Sequence, residues 1–220
     1  MERTIRVTGR GRIKARPDTI ELIISVNKVC PEYREAMETS SKMTKKMKEA
    51  LERAGFDPAE LKTTSFSVNA DYEGEYDEKG VWHNVFRGYR YDHNMVLRFG
   101  LDNDRLGKVL YELSRCEANA EISIRHTVKD PEPIKNALLE NAVKDSREKA
   151  KILAAASEVE LGRIINIDYS WGEVEIYNRM TERMTLSFGS VNAKEDSLDI
   201  DLEADDINVQ DTVTVVWEIR

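Results

Sequence analysis

The chain has 220 residues, 40% hydrophobic and 34% charged, which is apolar mass enough for one large domain or two small ones. Its formal net charge of −8 argues against general nucleic-acid binding and leaves room only for a local basic patch. Cys30 and Cys116 are too few for a disulfide framework or a four-cysteine zinc site, and no run reaches the roughly 18 apolar residues of a membrane span.

Ile5, Val7, Ile13 and Ala15 stand at odd positions with Gly9 and Gly11 beside them, and Arg6, Arg10, Arg12, Lys14 and Arg16 stand at even ones. This period of two predicts a strand with one apolar and one basic face. After Pro17-Asp18 the phase reverses to Ile20, Leu22, Ile24 and Val26. A reversal of one residue predicts a bend or bulge, with the two strand halves serving different cores.

Residues 32–54 predict a helix, from Tyr33, Ala36, Met37, Ser40, Met43, Met47, Ala50, Leu51 and Ala54 at helical spacing, stopped by Gly55. The methionine stripe reads as core. Phe66, Val68, Ala70 and Tyr72 alternate as the next strand. Residues 73–88, EGEYDEKGVWHNVFRG, are polar and glycine-bearing and read as a long hairpin loop exposing Trp82. A return strand follows from Tyr89 to Leu101, then a helix at 103–116 capped by Asp102 or Asn103, then a strand through Ala120, Ile122, Ile124, His126 and Val128. The order β-α-β-β-α-β predicts an α+β fold, a ferredoxin-like unit over residues 17–130.

Asp130 is the expected N-cap and Pro131 the expected first-turn residue of a long helix at 131–157, whose stripe is Ile134, Leu138, Ala142, Ala150, Leu153 and Ser157. Strands are expected at 163–177, with Ile165, Ile167, Tyr169 and Trp171 in phase and a bulge at Gly172, and at 207–219. The helix, these two strands and the basic half-strand form a second α+β unit, residues 1–16 and 131–220. The arm at 178–206 is long enough to serve function or assembly.

Several constellations invite chemistry. Gly9-x-Gly11 lacks the third glycine of a dinucleotide fingerprint, since residue 14 is Lys14, and a strand continues where a helix should open. The basic face has no interleaved aromatic for stacking bases. Its expected counterpart is SLDIDLEAD, where Asp199, Asp201, Glu203 and Asp205 form an acidic face of matching period, within one subunit or between two. As a calcium loop that run fails at Ala204 and Gln210. His93 and His126 lie toward one apolar face on strands that a third strand should separate, so they read as core histidines; His83 lies in the hairpin loop. No hydrolase, zincin or P-loop signature is present. No catalytic, cofactor-binding or metal-binding residue is therefore assigned.

In this layout the chain resembles the SIMPL-domain family, long catalogued as a domain of unknown function. VTGRGRIKARPDTIEL is similar to the family's opening signature, AGFDPAELKTTSFSVNADY to its glycine-to-tyrosine segment, NAVKDSREKAKILAAASEVELGRI to its alanine-rich helix, and INVQDTVTVVWEI to its closing strand. A glycine often found after the second helix is replaced near Glu117-Ala118. The resemblance implies a bacterial, two-part α+β protein that forms oligomers, some ring- or channel-like, with envelope or oxidative-stress roles and no established catalytic residue.

The expected function is accordingly a non-enzymatic, self-associating protein without cofactors. One alternative is a small-ligand or metal-binding protein or enzyme using a cleft between the units, with His93, His126 and Cys116 as polar groups. Another is a partner-binding adaptor using residues 73–88 or the arm 178–206. The opening MERTIRVTG shows no apolar leader run, so a cytoplasmic location is expected, with a periplasmic or exported one as the alternative if a leader was removed.

Overall fold

The structure is a computed structural model that describes residues 3–116, 120–169, 174–178 and 202–220. The alternation at the start of the chain becomes two strands of opposite phase, β1 (Thr4–Ala15) and β2 (Thr19–Cys30). Val7, Gly9, Gly11 and Ala15 are buried on the odd side of β1, and Ile20, Leu22, Ile24 and Val26 on the even side of β2. Pro17 and Asp18 make the expected bend between them. There the Asp18 N–H donates to the Thr127 carbonyl (3.1 Å), and its carboxylate accepts from the Lys129 N–H (2.7 Å).

The chain then forms α1 (Tyr33–Arg53), β3 (Lys62–Tyr76), β4 (Trp82–Gly100), α2 (Asn103–Ser114), β5 (Glu121–Thr127), α3 (Glu132–Ala156), β6 (Leu161–Asp168), β7 (Tyr177–Asn178) and β8 (Ile207–Ile219). This is an α+β architecture with two sheets, in the orders β1-β8-β6 and β3-β4-β2-β5-β7. Two compact units result. One comprises the described residues of Met1–Asp18, His126–Asn178 and Ala204–Arg220, the other those of Thr19–Arg125 and Arg179–Glu203.

In the second of these units, β2 pairs antiparallel with β4, and β4 with β3. Ile20, Leu22, Ile24, Tyr91, Met95 and Leu97 are almost wholly buried against Met47, Leu51, Leu106 and Leu110 of α1 and α2. Each such side chain contributes about 1.5–3 kcal/mol by leaving water. Met43 and Met47 belong to this core, whereas Tyr33 and Met37 near the start of α1 stay exposed. The Asp102 carboxylate caps α2 by accepting from the Arg105 N–H at 3.0 Å.

In the first unit, α3 lies against β1 and β8. Its buried stripe is Leu138, Ala142, Ser146, Ala150 and Ala154, a ridge of four-residue steps. This differs from the expected stripe: Leu153 points outward, and Ser146 and Ala154 take the contact. The helix also starts one residue later than expected, with Pro131 at the N-cap, while the Asp130 carboxylate accepts from the Glu132 N–H. β6 bulges between Leu161 and Ile164 and between Ile164 and Asn166, which breaks the expected single phase and leaves Ile164, Ile165 and Ile167 exposed. Trp171 and Gly172 lie outside the described residues.

Gly9 and Gly11 allow α3 to sit directly on the backbone of β1. A Cβ at Gly9 would stand 1.9 Å from the Ala142 carbonyl oxygen, and one at Gly11 would stand 2.0 Å from that of Leu138. Backbone atoms cannot rotate away, so helix and strand would have to separate. Gly9→Ala and Gly11→Ala are each expected to cost about 3 kcal/mol, read as a lowered denaturation midpoint with urea. Gly100→Ala, where no atom lies within 4 Å of the new methyl, serves as control and is expected to change little.

Candidate functional site

The feature that stands out is built by β3 and β4. The strands run through most of the segment expected to be a loop and leave only residues 77–81 as the turn. The loop expectation at 73–88 is therefore corrected to a β-hairpin arm. Asp77 organises its tip: the carboxylate accepts from the Lys79 and Val81 N–H groups, each at 2.9 Å, and lies 3.0 Å from His83 Nε2. The Val81 N–H bond and then the His83 bond hold the Asp77 carboxyl below its usual range.

The register sorts the arm into two faces. Tyr72 lies opposite Phe86, Gly74 opposite Asn84, and Tyr76 opposite Trp82. Tyr72–Phe86 and Tyr76–Trp82 meet edge to face, with ring centroids 5.6 and 4.7 Å apart. Gly74 lies under the Trp82 indole, which occupies the space a Cβ would take. On the other face Arg87 reaches Glu73 and Glu75, and Val85 and His83 stand opposite those two acids. These exposed ion pairs are worth a few tenths of a kcal/mol and keep that face solvated.

A bulge between Asp71 and Tyr72 aligns the aromatic face with the helix-covered side of the sheet. Phe66, Val68 and Ala70 continue as Tyr72, Gly74 and Tyr76 on β3. On β4, the bulge shifts the same side from Tyr91 and Tyr89 to Phe86, Asn84 and Trp82. The rings link up as well, Tyr33 to Tyr89 (5.7 Å) and Tyr89 to Phe86 (5.4 Å). Yet on the arm Tyr76 is 71% exposed and Trp82 55%. Length explains this: α1 has 21 residues, about 32 Å of helix, against 19 residues of β4, about 63 Å of strand.

The polar residues singled out from sequence sit elsewhere. His93 on β4 and His126 on β5 are on strands with β2 between them. His93 is buried in a hydroxyl cage: Nδ1 lies 3.3 Å from both Ser40 and Thr44, and Nε2 lies 2.8 Å from Thr63. Thr44 spends its proton on the Ser40 carbonyl, so it accepts from Nδ1–H, and Nε2 accepts from Thr63. His126 is fully buried, and neither ring nitrogen has a partner among the described residues. Burial lowers the pKa of both histidines. The buried Cys116 thiol donates to the Lys46 and Glu112 carbonyls, and burial pushes its pKa up, away from the reactive thiolate. Cys30 is buried too, its sulfur 4.0 Å from the Thr39 hydroxyl.

Over its whole length the basic strand β1 pairs with β8, from Thr4 opposite Glu218 to Ala15 opposite Ile207, and most of SLDIDLEAD, its counterpart expected from sequence, lies outside the described residues. Asp199 and Asp201 lie outside the described residues, as do Glu117-Ala118 and most of the arm 178–206. Among the described residues, no helix is long and apolar enough to cross a membrane.

Residues 5–217 match SIMPL, described as a protein of unknown function (DUF541). The chain belongs to the SIMPL family. Among its relatives are two proteins named 26 kDa periplasmic immunogenic protein, from Brucella melitensis biotype 1 and Brucella abortus strain S19. Each is 28% identical over 163 residues, 74% of this chain. The match spans 65% of each relative's length, a little under two thirds. These SIMPL relatives are periplasmic by name, which overturns the expectation of a cytoplasmic protein.

The two histidines carry a pH dependence. Their folded pKa values lie below the ordinary value near 6.5, so the stability they support is full above that pH and is lost as pH falls through the folded values. Melting temperature is expected to drop between about pH 7 and pH 5. His126→Leu is expected to flatten that limb, because Leu has no ring nitrogen to charge.

Proposed function

We propose that this SIMPL protein is a non-enzymatic, periplasmic protein of the bacterial envelope that self-associates through the aromatic face of its β3–β4 arm. One observation carries the reading: the helix-facing side of the sheet runs on past the helices as Tyr72, Tyr76, Trp82 and Phe86, all exposed. Contiguous exposed aromatics beside a charged reverse face are characteristic of an interaction surface. A second copy offers the same rings, so a two-fold pairing of arms buries both sets at once. The exposed Ile164, Ile165 and Ile167 on β6 favour a further contact between copies, since a strand at a sheet edge with bare apolar side chains invites association.

The non-enzymatic part rests on the polar groups. Of the expected candidates, His93 and Cys116 are spent on hydroxyl and carbonyl partners and His126 is fully buried, and no triad, zincin or phosphate-loop motif stands in the sequence. The periplasmic part rests on the names of the two Brucella relatives.

Size exclusion with light scattering tests the assembly. The wild-type chain is expected to run well above its 25.2 kDa monomer mass, and Trp82→Ser with Phe86→Ser is expected to lower that mass while leaving the circular dichroism spectrum unchanged. A wild-type protein that is monomeric at micromolar concentration, or a double variant of unchanged mass, defeats the reading.

A further inference from the structure

A second surface lies on the other unit and shares no residue with the aromatic arm. Along β1 runs a cleft of about 640 Å³ lined by Thr8, Arg10, Arg12, Asn141, Asp145 and Lys149. Strand alternation raises Arg10, Arg12 and Lys14 on the side of β1 away from the buried glycines. Their cross-strand neighbours on β8 are Thr212, Gln210 and Asn208, all neutral. Arg12, Lys14, Asn208 and Gln210 line an adjoining depression of about 350 Å³.

The cleft holds a single carboxylate, and that one is occupied. Asp145 accepts from the Arg10 backbone N–H at 2.6 Å and from Lys149 Nζ at 2.7 Å. Lys149 also donates to the Thr8 carbonyl at 3.4 Å. These contacts cover outward-facing backbone groups of the edge strand β1 and fix the ammonium in place. No salt bridge within 4 Å is formed by the Arg10 or Arg12 guanidinium among the described residues, and the Arg10 charge adds to the Lys149 and Arg10 N–H contacts that hold the Asp145 carboxyl below its usual range. In a protein of net charge −8, this leaves three cations against one carboxylate in one concave site.

The residue types specify the ligand. Side chains two apart on a strand are spaced about 7 Å, so two arginine forks can converge on one anionic group. A phosphate has enough oxygens for both forks and the ammonium together, whereas a carboxylate has two. Thr8, Thr212 and Asn141 around the cations suit hydroxyl groups, and no aromatic ring lines the cleft to stack a base.

We propose that this cleft binds a phosphorylated sugar, with the phosphate between Arg10 and Arg12 beside Lys149 and the sugar hydroxyls on Asn141, Thr8 and Thr212. The same chemistry occurs in a soluble sugar phosphate and in the phosphorylated headgroup of a glycolipid. The full-length protein is titrated calorimetrically at low salt with glucose 6-phosphate, and is separately sedimented with phosphatidylcholine vesicles doped with monophosphoryl lipid A. Sub-millimolar binding of the soluble probe, or co-sedimentation with the doped but not the plain vesicles, is expected. The arm that responds identifies the source. Arg10→Gln with Arg12→Gln is expected to weaken binding at least tenfold at unchanged melting temperature. Lys144→Gln, an exposed lysine on α3 outside the cleft, is expected to bind as the wild type does. Binding of neither probe overturns the proposal. So does equal binding by the Arg10/Arg12 variant, or an equal loss in Lys144→Gln, which would mark diffuse charge attraction. The aromatic-arm variant Trp82→Ser with Phe86→Ser retains the cleft residues, so it separates this proposal from self-association.

Discussion

The contact of α3 with the bare backbone of β1 sets the geometry of the first unit. Gly9 and Gly11 remove the side chains that would hold a helix away, and α3 answers with Ala142, Ser146 and Ala150, small enough to follow it in. That approach brings Asp145 and Lys149 to the open edge of β1, where they take up the Arg10 N–H and the Thr8 carbonyl. It also commits the odd side of the strand to the core. The even side, with its arginines, is thereby turned outward. The cationic cleft is a by-product of glycine packing: had β1 slipped by one residue, the arginines would face α3 and the strand could not dock.

The other unit shows what happens when a sheet outgrows its helices. A helix advances about 1.5 Å per residue and a strand about 3.3 Å, so strands of fifteen and nineteen residues run beyond a helix of twenty-one. Where α1 and α2 cover the sheet, its inner side holds Tyr91, Met95 and Leu97. Beyond them the same side holds Tyr72, Tyr76, Phe86 and Trp82 with no helix above. The apolar pattern is continuous; only its cover ends. Edge-to-face ring pairs recover part of the unfavourable exposure, and the charged reverse face keeps the arm soluble on one side.

Periodicity made much of this legible. The phase reversal at Pro17-Asp18, the span of α1, the Asp102 cap and the run of β8 all follow from local pattern, because period two and period 3.6 are properties of the backbone alone. By sequence the arm reads as a loop because its glycine, glutamates and histidine dilute the alternation; what identifies it is the pairing of Tyr72 with Phe86 and Tyr76 with Trp82, a relation across strands. Periodicity alone puts Leu153 on the stripe of α3 because a helix of mostly small residues has little amphipathic contrast. Its buried ridge is chosen by the glycines of a strand more than a hundred residues away.

The amino-acid order thus specified most of the elements, the phases of β1, β2 and β8, and the family to which the chain belongs. Partner choice was a matter of three-dimensional packing. β1 could have paired with any strand of matching period. It pairs with β8, whose Val209, Val213 and Val215 share a buried side with Val7 and Ala15. Burying that apolar surface is worth several kcal/mol, whereas facing exposed charges contribute about 0.2–1 kcal/mol a pair, so hydrophobic register outweighs electrostatic match.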